Sequence, residues 1–221
     1  MISMLLDHVG LMLLPEYEIL RILGRLAFPI FAYMIAEGCR YTKNRVKYLL
    51  MIAGMASIFQ VVYFFFMQES NLALYQGILV TFSLSIVCIY AMDWFLKKKD
   101  DVSFVVMVLT LACVVFVSVI LPEILTWQGY AVDYGIYGIL LPVLVYYAPG
   151  KIGKLFGVAL SLVGLSWTSL LPICWYSLLA LPLLALYNGQ RGKHKLKYMF
   201  YIFYPAHLVL IYAIAFLLMI V

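Results

Sequence analysis

Long apolar runs, separated by short polar, Pro- or Gly-containing breaks, dominate the chain. A helix needs about 20 residues, at 1.5 Å each, to cross the hydrocarbon core of a bilayer. The runs are continuously apolar and lack the alternation of β-barrel strands, so they predict α-helices. We predict nine spans: Met1–Leu14, Ile22–Cys39, Tyr48–Met67, Tyr75–Leu96, Ser103–Leu121, Tyr134–Tyr147, Ile152–Leu170, Cys174–Tyr187 and Tyr198–Val221. The first, sixth and eighth are short.

Composition predicts the same class of protein. Apolar residues make up 67% of the chain, charged residues 11%, and the mean hydropathy is +1.06. A soluble domain is roughly half apolar and a quarter charged. Backbone groups in lipid must be satisfied internally, which a helix achieves within one segment. We therefore expect an all-α, polytopic membrane bundle in which residues 1–221 form a single domain.

The distribution of charge predicts the orientation of this bundle, because short cytoplasmic loops collect Lys and Arg. Bases follow every even-numbered span: Arg40, Lys43, Arg45, Lys47, Lys97, Lys98, Lys99, Lys151, Lys154, Arg191, Lys193, Lys195 and Lys197. The alternate loops carry Glu16, Glu18, Glu69, Glu123 and Asp133, with Arg21 as the base near them. This alternation predicts a cytoplasmic N-terminus, nine crossings and a C-terminus near the outer face. The net charge of +5 thus reflects topology and does not indicate nucleic-acid binding.

Several other classes of chemistry have no support in the sequence. The four cysteines show no C-x-x-C or metal-ligand spacing, so we expect small core residues and no metal site. Motifs of zinc proteases, serine hydrolases, P-loop NTPases and dinucleotide-binding enzymes do not occur. The first apolar stretch lacks the basic region and cleavage site of a signal peptide, and we expect it to be retained.

Ionisable side chains inside the predicted spans are candidates for function, because each costs about 2.5–3.5 kcal/mol near a helix centre. Asp7 and His8 are neighbours in the first span and point about 100° apart on a helix. One of them can face a cavity while the other braces a neighbouring helix. An imidazole titrates near neutrality, which makes His8 a candidate general base. The alternative is an interhelical hydrogen-bonding pair.

The second and last spans carry the other intramembrane candidates. Arg25 follows Arg21 by one turn, and Gly24 allows another backbone to approach. Arg25 either holds an acidic substrate group or pairs with Asp7, and pairing is favoured. Pro29 predicts a kink that frees a backbone carbonyl. His207 follows Tyr204-Pro205 about two turns into the last span, where its alternative role is a structural hydrogen bond.

Two predicted cytoplasmic segments suit an anion. Glu37 and Arg40 are three residues apart, which favours a surface ion pair at the helix end. The alternative is that Arg40, Lys43, Arg45 and Lys47 form an entrance for a polyphosphate, which Arg forks and Lys charges recognise. The glycines and bases of 188–193 can likewise cradle phosphate, although the string matches no P-loop and a plain turn is the simpler interpretation.

Several strings of the sequence are familiar, most of them near the two ends and one in the middle: Leu6–Gly10, Leu20–Tyr33, Glu37–Thr42, Asp133–Gly135, Leu186–Gly192 and Phe203–Leu208. Together these strings resemble the TraX family. The resemblance implies a bacterial plasma-membrane acetyltransferase, the namesake of the family acetylating the N-terminal amine of conjugative pilin. The wider class of polytopic acyltransferases uses a histidine of the first helix to move an acyl group from cytoplasmic acyl-CoA. The resemblance therefore implies that His8 is catalytic, with Asp7 as its partner.

From this resemblance we expect ionisable groups of both chain ends to share an intramembrane pocket that acetyl-CoA reaches from the cytoplasm. Arg25 or His207 is expected to steady the oxyanion. The expected contacts to the phosphates of acetyl-CoA are Arg40, Lys43, Asn188, Arg191 and Lys193, and those to substrate are Arg21, Glu37 and Tyr204. The acceptor is a peptide, a glycan or a lipid-linked molecule. Two alternatives remain, a transporter or flippase that uses the same charges and a catalytically idle assembly factor.

The first span departs from the family pattern. Relatives usually have several more residues before the Asp-His pair, and this span has only about 14, near 21 Å, against a 30 Å core. Either the chain starts late or the helix is tucked behind others. The oligomeric state is left open.

Overall fold

A computed structural model describes residues 1–66, 72–169, 171–190 and 197–218, without the side chains of residue 66 and residues 197–201. The described residues form an all-α structure. Its helices are α1 (Ile2–Met12), α2 (Glu18–Gly24), α3 (Ala27–Tyr41), α4 (Arg45–Phe66), α5 (Ile78–Lys98), α6 (Asp101–Val115), α7 (Leu121–Ile124), α8 (Gly135–Tyr147), α9 (Gly150–Thr168), α10 (Ala180–Leu186) and α11 (Lys197–Leu217). A π-helical turn (Phe116–Ile120) links α6 to α7, and 3₁₀ turns cover Thr126–Gln128 and Pro172–Leu179.

Four helical stretches among the described residues are long and apolar enough to cross a membrane: Glu18–Tyr41, Arg45–Phe65, Ile78–Lys98 and Asp101–Ile124. Shorter apolar helices cover Ile2–Met12, Gly135–Tyr147, Pro172–Leu186 and Ile202–Leu217. Only 11% of the most apolar window is buried in each of the second and fourth long stretches. Their exposed apolar side chains suit contact with lipid. The expectation of a helical membrane protein is therefore supported, while nine crossings and their orientation stay predictions.

The predicted kink in the second span is a break between α2 and α3. α2 ends at Gly24 and α3 begins at Ala27. Pro29 has no N–H, so the carbonyl of Arg25 lacks its usual helical donor. The predicted interruption of the helix near Pro29 is thus observed, while a bend at this point stays a prediction. The helical stretch begins at Glu18 and not at Ile22.

The chain divides into two compact units, and the terminal unit combines Met1–Phe31 with Ser166–Val221. Within it, α1 packs against α2 and against α11, and α2 also contacts the 3₁₀ turn Pro172–Leu179. The two ends of the chain therefore share one core. The prediction of a single domain over residues 1–221 stays a prediction.

The central unit covers Ala32–Leu165. In it α5 packs against α4, α6 and α8. Fully buried side chains of α5 and α8 form the core: Ile86, Ile89, Ile139, Leu141 and Val145. The Ser85 hydroxyl donates to the carbonyl of Ile139 at 2.9 Å, which ties the two helices together. A short backbone bridge between Gln76 and Val132 joins the loops that precede α5 and α8.

The turn from α5 to α6 is compact and polar. Lys99 adopts a left-handed conformation with φ of 54°. Asp100 then caps α6 by accepting from the Ser103 N–H at 2.8 Å. Hydrogen bonds from the side chain and backbone N–H of Ser103 lower the pKa of the Asp100 carboxyl. This turn carries Lys97, Lys98 and Lys99, which the charge pattern assigns to the cytoplasmic side.

Two glycines let α1 and α2 approach closely. A Cβ atom on Gly24 would lie 2.4 Å from the Cβ of Asp7, and one on Gly10 would lie 2.8 Å from the Cβ of Leu20. Neither distance is physically possible for a side chain, so the two backbones meet only because these positions are glycine.

Replacing Gly24 with Ala should therefore force α1 away from α2 and lower the thermal stability of the purified protein. Overpacking of a well-packed contact costs about 1–3 kcal/mol. Gly54→Ala in α4 is the matched control, since no atom lies within 4 Å of the added Cβ. Ala favours a helix over Gly by about 1 kcal/mol, so this control should melt at or slightly above the wild-type temperature. Equal melting temperatures for the two variants would contradict the close approach.

Candidate active site

Asp7 of α1 lies against two arginines of the α2 region. Arg25 Nη2 donates to both carboxylate oxygens, at 2.6 and 2.7 Å. Arg21 Nη1 lies 3.0 Å from Asp7 Oδ1 and donates to the Asp7 carbonyl at 3.2 Å. The three side chains are only 12–19% exposed. The predicted pairing of Arg25 with Asp7 is confirmed, and Arg21 shares the same carboxylate.

His8 takes a different partner from the one that the family resemblance implies. Its Nδ1 lies 2.8 Å from the carbonyl of Met4, one turn earlier in α1. Since adjacent helical residues point about 100° apart, Asp7 faces the arginines while His8 faces another direction. Asp7 thus braces α1 against the α2 region, as one half of the expectation has it, while a cavity beside His8 stays a prediction. The described contacts make the Met4 carbonyl, and not Asp7, the group that orients the imidazole.

The imidazole of His8 meets that of His207 from the other end of the chain. The two ring centroids are 5.0 Å apart and the rings are nearly perpendicular, at 76°. His207 is buried, and the ring of Phe203 stacks on it at 4.9 Å. Tyr204 lies edge-on at 5.8 Å. The expectation that ionisable groups from both ends come together is thus met, while access for acetyl-CoA stays a prediction.

Hydrogen bonding fixes the tautomer of both histidines. His207 Nδ1 lies 2.8 Å from the carbonyl of Phe203, as His8 Nδ1 does from Met4. A carbonyl oxygen only accepts, so in each neutral ring Nδ1 carries the hydrogen and Nε2 keeps its lone pair. His207 Nε2 is buried and has no hydrogen-bond partner in the part of the chain that the structure describes. Such a nitrogen can take up a proton or attack a carbonyl carbon.

This tautomer restricts the expected role of His207. A bare Nε2 cannot donate to an oxyanion, and it becomes a donor only after it has been protonated. The carbonyls of Met4 and Phe203, which set both tautomers, were missed by the sequence reasoning. Each of these carbonyls lies four residues before its histidine. This spacing occurs throughout every helix and therefore does not single out a site.

The predicted surface ion pair between Glu37 and Arg40 is wrong. Glu37 is only 4% exposed, and its Oε1 accepts from Lys154 Nζ at 2.6 Å. Arg40 is exposed, donates to the carbonyl of Tyr146 and lies over the ring of that tyrosine. Spacing along one helix brings Glu37 and Arg40 near each other, but it does not show which of them faces the core. Lys154 is the partner that sequence reasoning missed.

A second buried carboxylate in the central unit has several donors. Asp93 accepts hydrogen bonds from Arg45 Nη2, from the Tyr146 hydroxyl at 2.7 Å and from the Tyr147 hydroxyl at 3.0 Å. This network joins the ends of α4, α5 and α8, all of which the charge pattern assigns to the cytoplasmic side. Because these hydrogen bonds satisfy the carboxylate, we interpret the network as structural, holding the ends of the three helices together.

The expected phosphate contacts are placed only in part. Arg40 and Lys43 are exposed in the central unit. Asn188 is exposed in the terminal unit, where its Oδ1 accepts from the Gln190 N–H at 3.0 Å, as in a plain turn. Arg191 and Lys193 lie outside the described residues.

Comparison with known proteins matched nearly the whole chain to one family model and to one curated relative. The family model described as "TraX protein" matches residues 1–215. "Probable fimbrial assembly protein FimC, serogroup H1" of Dichelobacter nodosus is 26% identical over 242 residues, which cover 95% of this chain and 90% of that protein. "Uncharacterized protein RP591" of Rickettsia prowazekii (strain Madrid E) is 39% identical over 49 residues, or 22% of this chain and 19% of that protein. No solved structure matches the chain significantly.

Proposed function

This chain belongs to the TraX family, and from that premise we propose that it is a membrane acetyltransferase. It moves an acetyl group from cytoplasmic acetyl-CoA to an amine or hydroxyl of a membrane or cell-surface acceptor, and it resides in the bacterial plasma membrane as a multi-pass protein. The observation that carries the proposal is the contact between His8 and His207. In both imidazoles Nδ1 donates to a carbonyl, so Nε2 keeps its lone pair and can act as a base or a nucleophile.

In the direct route, Nε2 of His8 takes the proton of the acceptor N–H or O–H as the acceptor attacks the thioester carbonyl carbon. The tetrahedral intermediate then collapses and its C–S bond breaks. The leaving thiolate of CoA takes the proton back from His8. In the covalent route, Nε2 of His8 attacks the thioester carbonyl first, the C–S bond breaks and CoA leaves as its thiolate. The acceptor then attacks the acetyl-imidazole, the bond between the acetyl carbon and Nε2 breaks, and the acceptor proton passes to the CoA thiolate. Both routes use the same lone pair and both end with CoA thiol and acetylated acceptor.

The surrounding residues support this chemistry in different ways. Once protonated, the buried Nε2 of His207 can donate to the developing oxyanion. Arg25 and Arg21 act through Asp7 as positioning residues, because their contacts to that carboxylate hold α1 against α2. Tyr204, beside His207, contacts the acceptor.

The donor is held by its phosphates at the cytoplasmic face. Arg40 and Lys43 expose a guanidinium fork and an ammonium, which are matched to phosphate oxygens. A second, glycine-containing segment adds the cations Arg191 and Lys193 and the neutral amide donor of Asn188. The acceptor is a pilus or other surface peptide, an assignment that the name of the fimbrial assembly relative supports; a surface glycan or lipid-linked molecule is the alternative.

The proposal is tested with purified full-length protein in liposomes, radiolabelled acetyl-CoA and membranes from a strain that lacks this chain as the source of acceptor. We expect release of CoA and label in surface peptides or glycans, which mass spectrometry of the deletion strain would identify. Flux of solute or lipid across the liposomes without consumption of acetyl-CoA would instead favour a transporter or flippase. An assembly factor without catalysis would show neither.

A further inference from the structure

Glu37 and Lys154 form a buried pair that leaves hydrogen-bonding capacity unused. Lys154 Nζ donates to Oε1 of Glu37 and lies 5.6 Å from the ring centre of Tyr33. The other oxygen, Oε2, is buried and has no hydrogen-bond partner among the described residues. A buried carboxylate oxygen without a donor costs about 1–3 kcal/mol or more. The site therefore favours a ligand that brings a donor to Oε2.

A second polar group without a hydrogen-bond partner among the described residues lies on α9, on the face that carries Lys154. Ser161 follows Lys154 by seven residues, or two helical turns, which is about 10 Å along the axis. Its side chain is buried, with 3% exposure, and its hydroxyl has no partner within the described ranges. α9 thus presents two polar positions in a line, Lys154 near the start of the helix and Ser161 deeper in it.

The charges indicate what kind of ligand fits. The ammonium of Lys154 and the carboxylate of Glu37 cancel, so a phosphate or a carboxylate would gain no net attraction and would lie beside a like charge. A neutral group that carries an N–H donor and a C=O acceptor side by side satisfies both Oε2 and a remaining Lys154 or Ser161 donor. The secondary amide is such a group.

We propose that Glu37, Lys154 and Ser161 bind the amides of the pantetheine arm of acyl-CoA, an inference that rests on the proposed function. The arm carries two secondary amides along an extended chain. Arg40, one turn beyond Glu37 on α3, is exposed and contacts Tyr146, which precedes the loop to α9. The phosphates of CoA at Arg40 and the arm at Glu37 and Ser161 then follow the same order, from the exposed end of the central unit toward its interior.

The test is equilibrium binding to the full-length protein in nanodiscs, with CoA, pantetheine and adenosine 3′,5′-bisphosphate as probes. Glu37→Gln should weaken CoA and pantetheine about 10-fold, as expected for one charge-assisted hydrogen bond, and leave the bisphosphate, which lacks the arm, unchanged. Arg40→Ala should weaken CoA and the bisphosphate but not pantetheine. A Glu37→Gln protein that binds CoA and pantetheine like the wild type would overturn the assignment.

Two further variants keep the test decisive if Glu37→Gln folds poorly. Ser161→Ala removes a hydroxyl that has no described partner, so it should fold normally and still weaken pantetheine, whereas Ser57→Ala on an exposed face of α4 should change nothing. Glu37→Gln with Lys154→Met removes both charges together and should lose CoA binding without leaving a lone buried ammonium. Unchanged pantetheine binding in both would show that the cluster is only structural or hydrated.

The backbone of a peptide acceptor also carries secondary amides and could bind at the same residues. Tri-alanine is the probe for this alternative. Sensitivity of tri-alanine binding to Glu37→Gln, with pantetheine binding unchanged, would overturn the assignment to the CoA arm. If the wild-type protein binds neither CoA nor the bisphosphate, the acetyltransferase proposal itself fails. Wild-type CoA binding that Glu37→Gln leaves intact removes only the inference about the arm.

Discussion

Replacing His8 with Ala is expected to abolish acetyl transfer while the protein remains folded and inserted in the membrane. Loss of a general base alone lowers turnover by about 10²–10⁴-fold, and loss of a covalent carrier lowers it at least as much. The contacts described for His8 are a hydrogen bond within α1 and a ring contact with His207. Removing them leaves no buried charge without its counterion, so the fold should tolerate the change.

Turnover of radiolabelled acetyl-CoA, together with the elution profile and melting temperature of each protein, provides the measurement. Ile2→Ala is the matched control, because Ile2 lies on the same helix with 76% of its surface exposed. It should retain wild-type turnover. A His8→Ala protein that transfers acetyl groups at the rate of this control would remove His8 from the mechanism.

Replacing Asp7 with Ala is expected to destabilise the terminal unit strongly. The change leaves two guanidinium groups, those of Arg21 and Arg25, without the carboxylate that they share. Removing one partner of a buried ion pair lowers the free energy of unfolding by about 3–5 kcal/mol. These side chains are partly exposed, so we expect a loss near the lower end of that range. Thermal unfolding in detergent, followed by the yield of monodisperse protein, measures the effect.

An exposed aspartate, Asp101, provides the control for this prediction. Asp101 lies in the first turn of α6, where an acidic side chain stabilises the helix through its favourable interaction with the helix dipole. Asp101→Ala should therefore lower the free energy of unfolding by only about 0.3–1 kcal/mol. Arg25→Gln should fall between the two variants, since Arg21 still contacts Asp7. Equal losses of stability for Asp7→Ala and Asp101→Ala would show that the cluster contributes little to the fold.

The sequence predicted features that depend on local geometry. The divergence of Asp7 and His8 follows from the angle between adjacent helical residues, and the break before Ala27 follows from the missing N–H of Pro29. The end of α1 at Met12, two residues short of the predicted Leu14, fits the presence of Pro15, which disfavours helical backbone at the residue before it.

Features that depend on distant parts of the chain were not predictable from the residues alone. The pair of Glu37 with Lys154 joins positions on α3 and α9, and the donors of Asp93 come from α4 and α8. Nothing in the spacing of these residues indicates which cation or hydroxyl will meet which carboxylate. The meeting of His8 with His207 was expected only from the family resemblance, since hydropathy places both residues inside spans without saying which spans are neighbours.

The central claim is that His8 and His207 act together in one acetyl-transfer site, and a double-mutant cycle on turnover tests it most directly. Acetyl transfer is measured for the wild type, His8→Ala, His207→Ala and the double variant, all shown to be folded. Residues that act as a unit lose activity non-additively, so the double variant should be no slower than the slower single variant. Losses that multiply, or a His207→Ala protein with wild-type turnover, would contradict the claim.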